Sequence, residues 1–287
     1  MSIVGVHGVG NYKVGIEPDA AAEALAAIWR RSLRGNAAVG ALIDDVPISV
    51  AYYADLLRKP GKQSAEDGIE QLDEDALQAL DAWMELFDDE VGEEAGDSQG
   101  YATFVLRRDF SEFARRRGIA RAVLSRFAAW FFGEVTRYLA GPQAAAREAV
   151  RARVAAQLRA AEPPLIVIAH SLGSVVAYET LWANQDIDVQ LLVTLGSPLA
   201  MPHVVFPKLQ PAAQQDRGLR PPGVREWVNY ADVGDLVAIP PKGVGSSFDG
   251  VDDRETAIHL FDFHLAGHYL AARKVGTCLL PRLRAAE

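Results

Sequence analysis

Residues 165–182 form the segment that most restricts how this chain can fold. An apolar run at 165–169 leads through a few residues, Ser171 among them, into a helical pattern at 174–182. A continuous apolar run of this length is typical of a strand buried on both faces. Ala169 precedes the serine by two positions and Gly173 follows it by two, so no large side chain crowds a strained turn there. The segment predicts a strand, a tight turn and a helix.

The same alternation of strand and helix extends over much of the chain. Further short runs rich in β-branched residues occur at 2–6, 48–53, 190–195 and 226–230. The first helix is predicted to start at Pro18 and to end before Gly35, with its apolar residues on one face. Alternating strands and helices predict an α/β fold with a mostly parallel central sheet flanked by helices.

Residues 58–162 interrupt this alternation. They contain no convincing strand, but two apolar stripes at helical spacing run through 77–91 and 124–138, and an acidic stretch at 88–100 is predicted to be a loop. We therefore expect a core formed by 1–57 and 163–287, and a helical cap or lid formed by 58–162. The aromatic residues Trp130, Phe131 and Phe132 either pack between the cap and the core or line an apolar pocket.

Composition excludes several functional classes. The formal net charge of −9 disfavours binding to a nucleic-acid backbone, and the single cysteine, Cys278, excludes intrachain disulfides. Charged side chains interrupt the most apolar window, 120–140, so no membrane span is expected. The N-terminus reads as a strand and not as a signal peptide, which favours a cytoplasmic location.

Two motifs have the composition that nucleophilic catalysis requires. A serine hydroxyl needs a base, a group that orients the base, and donors for the developing oxyanion. Ser171 is the candidate nucleophile, and glycine-rich residues 6–11, Val-His-Gly-Val-Gly-Asn, follow the first predicted strand. The alternatives are a helix N-cap for Ser171 and a dinucleotide-binding loop for 6–11, although that loop lacks the third glycine of the fingerprint.

The sequence Ala-His-Ser-Leu-Gly at 169–173 resembles the nucleophile turn of the α/β-hydrolase superfamily, in particular its lipase-like and esterase-like members. The family motif often begins with glycine, where this chain has Ala169. The resemblance covers 2–53 and 165–270, and it implies an α/β-hydrolase fold. It also implies an oxyanion hole formed by the backbone N–H groups of Val9, with or without Gly8, and of Leu172.

The family's chain order, serine then acid then histidine, implies the other two members of a triad. Asp235 follows the predicted strand 226–230 and is the preferred acid, with Asp232 as the fallback. His264 is the preferred base because it precedes the last helix, and His268 is the fallback. The spacing of four between these histidines is also found in zinc peptidases, but the associated glutamate motif is absent, so no metal is expected.

The expected activity is hydrolysis of a carboxylic ester through an acyl-enzyme on Ser171, without a cofactor. The expected partner is a small-molecule ester, with an apolar acyl group if the insertion overlies Ser171. A thioesterase, an amidase or an acyltransferase would use the same residues. A protein with this fold that binds a ligand or a protein without catalysis is the alternative from another class, and the oligomeric state is left open.

Overall fold

A computed structural model of the chain describes residues 1–58, 68–87, 110, 113–116, 118–141, 144–258 and 264–285. Its strands are β1 Ser2–Val6, β2 Ile48–Ala51, β3 Leu165–His170, β4 Val189–Leu195, β5 Gly218–Leu219, β6 Val224–Ala231, β7 Phe248–Asp249 and β8 Asp252–Glu255. Its helices are α1 Pro18–Arg34, α2 Glu74–Glu85, α3 Arg121–Tyr138, α4 Ala145–Ala160, α5 Leu172–Ala183, α6 Gly243–Ser247, α7 Ala266–Ala271 and α8 Arg273–Arg284. The predicted acidic loop at 88–100 lies outside the described residues.

In the described ranges, the central sheet has six strands in the order β2-β1-β3-β4-β6-β8, and every neighbouring pair is parallel. A parallel sheet flanked by helices is the predicted α/β architecture. The strand order reverses direction between β1 and β3, because the chain runs from β1 to one edge and from β3 to the other. In open α/β sheets this position forms a crevice at the carboxyl ends of the strands, where ligands bind.

Helices cover both faces of the sheet. On one face, α1 and the C-terminal helices bury residues such as Trp29, Leu270 and Leu279 against the strands. Gly5 in β1 leaves room for the Trp29 ring, since a Cβ atom there would lie 2.6 Å from Trp29 Cζ3. On the other face, the helices α2 to α5 share a second apolar core, which includes Leu124 and Val175.

The described part of 58–162 contains helices and single helical turns but no strand. Helices α2 and α3 pack on each other, and Trp83 of α2 lies edge-on to Phe132 of α3 with ring centroids 5.6 Å apart. Trp83 Nε1 also donates a hydrogen bond of 2.8 Å to the carbonyl oxygen of Leu236, beyond β6. Phe131 and Phe132 are fully buried, whereas Trp130 is 37% exposed. The aromatic group is therefore divided between packing and an open surface.

Helix α4 packs against α5, β1 and β2, so it covers the sheet in the manner of a connecting helix. A buried ion pair joins Arg147 of α4 to Glu179 of α5. Tyr138 at the end of α3 donates its hydroxyl to the same carboxylate, at 2.8 Å. Three helices are thus fixed to one another around Glu179.

No described helix is both long enough and apolar enough to cross a bilayer.

Candidate active site

Ser171 occupies the turn between β3 and α5. Its backbone has φ 54° and ψ −131°, a strained conformation for a residue with a side chain. The turn is held on both sides, since Ser171 N–H donates to Leu195 O at 3.0 Å and Ser174 Oγ donates to Ser171 O at 2.6 Å. Strain of this kind persists only where the surrounding contacts enforce it, and it is common at functional sites.

Small residues surround this turn because the backbone of β1 lies close to it. A Cβ atom at Gly173 would lie 2.3 Å from Val6 O and 2.4 Å from His7 O. A Cβ atom at Gly8 would lie 2.6 Å from Ser171 Cβ. Glycine at both positions therefore brings the loop after β1 into contact with the turn after β3.

Asp235 and His264 lie together beyond the carboxyl ends of β6 and β8. His264 Nδ1 is 2.9 Å from each carboxylate oxygen of Asp235, and both side chains are almost completely buried. Two further groups donate to the carboxylate: Val237 N–H to Oδ1 at 2.9 Å and Tyr269 O–H to Oδ2 at 2.7 Å. Asp235 can thus fix the orientation of the His264 ring.

Gly196 leaves the space that the pair occupies. It has φ +53°, and a Cβ atom there would lie 2.6 Å from Asp235 Oδ2 and 3.1 Å from His264 Cε1. Gly196 directly follows Leu195, the residue that accepts the hydrogen bond from Ser171 N–H. The aspartate–histidine pair therefore lies beside the strand end that also holds the serine turn.

The fallback residues have other surroundings. Asp232 accepts backbone N–H groups of Gly234 and Ile258, each at 2.7 Å, and so it stabilises the turn after β6. His268 lies in α7 and is partly exposed. The hydrogen bond from His264 Nδ1 to the Asp235 carboxylate therefore joins the two preferred candidates.

Among the residues that the structure describes, three buried side-chain atoms at this site have no hydrogen-bond partner: Ser171 Oγ, His264 Nε2 and His170 Nε2. The serine and the histidine do not bond to each other as the structure stands. Catalytic hydrogen bonds often close only when substrate binds. The unpartnered hydroxyl and ring nitrogen are the atoms that a serine hydrolase would use.

His170 packs against the candidate base, with the two ring centroids 4.7 Å apart. Burial lowers the pKa of His170 well below its ordinary value, and the neighbouring His264 lowers it further. His170 is therefore neutral at pH 7 and adds no positive charge beside His264.

Both ring nitrogens of His7 contact backbone groups. Its Nε2 accepts Tyr53 N–H at 3.1 Å, and its Nδ1 is 2.7 Å from Gly8 O. The ring also stacks on Tyr53, with centroids 4.1 Å apart. Burial lowers the pKa of His7 to about 4. These contacts fix the start of the loop after β1.

The candidate oxyanion donors are available. Leu172 is the first residue of α5, so its N–H has no acceptor within the helix. Val9 N–H makes no backbone hydrogen bond within the described part of the chain. Asn11 fixes the intervening loop by donating its Nδ2 to Gly8 O and Val9 O, at 2.9 and 3.2 Å.

Glu134 of α3 contacts the same loop, and sequence reasoning did not identify it as a site residue. Its Oε1 accepts Gly10 N–H at 3.0 Å, while its Oε2 is buried and has no hydrogen-bond partner among the described residues. Burial raises the pKa of Glu134 to about 7, and the bond from Gly10 acts in the opposite direction. The one available signal was a charged residue within an apolar helical stripe.

A cavity of about 790 Å³ opens beside His264. Its lining is mostly apolar and includes Ile28 of α1, Phe127 and Trp130 of α3, and Leu265. Phe127 lies edge-on to the His264 ring, with centroids 5.6 Å apart. Such a cavity can hold an apolar group in contact with the candidate base.

Within the described residues, no group of three or more histidine, cysteine, aspartate or glutamate side chains could hold a metal ion.

Comparison of the chain with protein-family models, with curated proteins and with solved structures finds no match.

Proposed function

We propose that this protein is a serine hydrolase of the α/β-hydrolase type, with Ser171 as nucleophile, His264 as general base and Asp235 as the residue that orients the base. The observation that carries the proposal is the combination of a strained serine with an unpartnered hydroxyl and a nearby buried aspartate–histidine pair. The strand, turn and helix around Ser171 are the context that the family motif requires. The position where the strand order reverses supports a ligand site there.

In the proposed mechanism, His264 Nε2 removes the Ser171 proton and Ser171 Oγ attacks the substrate carbonyl carbon. The resulting oxyanion accepts hydrogen bonds from the N–H groups of Val9 and Leu172. His264 then donates the proton to the leaving oxygen, which departs as an alcohol and leaves an acyl-enzyme. Water, deprotonated by His264, hydrolyses that ester and restores the serine. Asp235 stabilises the imidazolium form of His264 each time that form is produced.

The proposed substrate is a small carboxylic ester with an apolar group. His264 protonates the leaving oxygen, so the alcohol part of the ester must lie beside it. The apolar cavity next to His264 fits such an alcohol group. The apolar acyl group expected from the sequence, and the assignment of 58–162 as a helical cap or lid, stay predictions.

Reaction with a fluorophosphonate probe tests the proposed nucleophile. The phosphorus atom is attacked by an activated serine, so the folded protein should form one adduct, on the peptide that contains Ser171. Ser171→Ala should abolish the adduct. Ser197→Ala should retain it, because the hydrogen bonds of Ser197 Oγ to described residues are with Ser174 Oγ and Leu199 N–H. Folded protein without a Ser171 adduct would favour a binding module over an enzyme.

A series of esters tests the substrate class. Varying the alcohol from methyl to bulky aromatic groups at a fixed acetyl group should raise kcat/KM, because the larger alcohol fills the cavity. Trp130→Ala should weaken that preference. Equal kcat/KM for methyl and bulky alcohols would contradict this assignment of the cavity.

A further inference from the structure

The loop after β1 is held by three sets of contacts. His7 and Tyr53 fix its start, and Asn11 fixes its interior. Helix α3, more than 110 residues further along the chain, makes the third set of contacts, with Gly10. This third set differs from the other two because it joins the loop to residues of the 58–162 insertion.

Helix α3 contacts Gly10 with two side chains on the same face. Trp130 and Glu134 are four residues apart, a spacing that brings side chains together on a helix. A Cβ atom at Gly10 would lie 3.0 Å from the Trp130 ring, and Gly10 has φ +74°, so the ring lies against the glycine backbone. Glu134 Oε1 accepts the Gly10 N–H at 3.0 Å. Together these contacts fix the peptide that follows Val9.

We propose that Glu134 is a positioning residue, which holds Gly10 so that the N–H of Val9 is directed at the oxyanion formed on the substrate of Ser171. The inference rests on the proposed function and extends it, because it makes the insertion part of the catalytic site. Glu134 does not touch the reacting atoms. It acts through the backbone of the loop.

The environment of Glu134 supports this role. The Oε2 atom of the carboxyl group is buried and has no hydrogen-bond partner within the described part of the chain, and burial raises the pKa of Glu134. An enclosed carboxyl group without an ion-pair partner destabilises a fold more than it stabilises it. A gain in stability therefore does not explain a glutamate at this position, and its hydrogen bond to Gly10 is the clearest use of the carboxyl group.

The test compares Glu134→Ala with Glu134→Gln. Glutamine retains a carbonyl oxygen that can accept the Gly10 N–H, and alanine does not. Alanine should lower kcat by about 10- to 100-fold with KM changed less than about twofold, since a displaced donor costs transition-state stabilisation and not substrate binding. Glutamine should restore kcat to within about threefold of the wild type. Glu148→Ala, an exposed glutamate of α4, is the matched control and should match the wild type.

Hydrogen exchange at the Gly10 amide, followed by NMR, gives a readout that does not depend on activity. Exchange should be at least about tenfold faster in Glu134→Ala than in the wild type and in Glu134→Gln, because a bonded amide is protected. Equal exchange in all three proteins would overturn the inference. Faster exchange with unchanged kcat would overturn it as well, because the hydrogen bond would then have no role in catalysis.

The same experiment separates this inference from the proposed function. If the wild type forms no fluorophosphonate adduct and hydrolyses no ester, the proposed function fails and the catalytic role of Glu134 fails with it. If the wild type is active and only the Glu134 variants behave otherwise than expected, the proposed function stands and the positioning role alone is overturned.

Discussion

At the scale of single residues, the site depends on polar atoms that are buried and yet make no hydrogen bond to a described residue. Ser171 Oγ and His264 Nε2 are both buried and have no hydrogen-bond partner in the described ranges of the chain, although buried polar atoms in proteins are nearly always hydrogen-bonded. Asp235, by contrast, accepts from three groups. The fold thus satisfies the carboxylate of Asp235, whereas the two atoms that the proposed mechanism uses are left without a hydrogen bond among the described residues.

Two aspartates three residues apart provide a matched comparison. Asp235→Asn should lower kcat for a short ester by about 10⁴, because an amide cannot hold His264 in the tautomer that accepts the serine proton. Asp232→Asn should lower kcat less than about tenfold, because Asp232 contacts backbone N–H groups of a turn and not the base. Steady-state kinetics with both variants provides the check. A larger loss of kcat in Asp232→Asn than in Asp235→Asn would mean that Asp235 is not the acid of the triad.

The sequence predicted the acid and the base, but not all the residues that contact the site. The chain order of serine, acid and base predicted Asp235 and His264, and the structure brings those two together. Tyr269 and Glu134 gave no such signal. Tyr269 lies 34 residues from Asp235, and Glu134 lies 124 residues from Gly10, so each contact depends on packing between distant segments.

At the scale of elements, the site requires α5 to start close to the end of β1. Apolar runs predicted the central strands to within two residues, because strands buried on both faces leave an unmistakable pattern. The edge strand β8 was not predicted. Its four residues, Asp252–Glu255, are all charged and mostly exposed, and charged residues are common on strands that protect a sheet edge.

Gly173 tests how closely α5 must approach β1. Gly173→Ala should destabilise the protein by about 1–3 kcal/mol, since the added methyl group overlaps Val6 O and His7 O and pushes the helix away. It should also slow fluorophosphonate labelling, because Leu172 moves with the helix. Gly141→Ala is the control, as a Cβ atom there would meet no atom of the described residues within 4 Å. Urea denaturation and labelling rates measure the two effects, and equal stability of both variants would contradict the contact.

At the scale of the whole molecule, buried titratable groups near the site make stability depend on pH. The pKa of Glu134 is raised from 4.5 to about 7 in the folded protein. The folded state therefore binds more protons than the unfolded state between these values, and the contribution of Glu134 to stability is lost as the pH rises through 7. The pKa of His7 is lowered to about 4, so its contribution is lost as the pH falls towards 4.

Glu134→Gln separates these opposing effects. Glutamine does not titrate, whereas His7 is unchanged, so the variant should gain stability relative to the wild type as the pH rises from 5 to 8. The gain should approach about 3 kcal/mol, the free energy that corresponds to a pKa raised from 4.5 to about 7. Urea denaturation of both proteins at the two pH values measures it. A stability difference independent of pH would mean that Glu134 titrates normally.

The central claim is that Ser171 forms an acyl-enzyme, and trapping that intermediate tests it most directly. Brief reaction with an activated ester, followed by an acid quench and mass spectrometry, should show one added acyl group on the peptide that contains Ser171. Ser171→Ala should form none, and its kcat should fall by up to about 10⁶. Ester hydrolysis that persists in Ser171→Ala, or an acyl group found on another residue, would contradict the account.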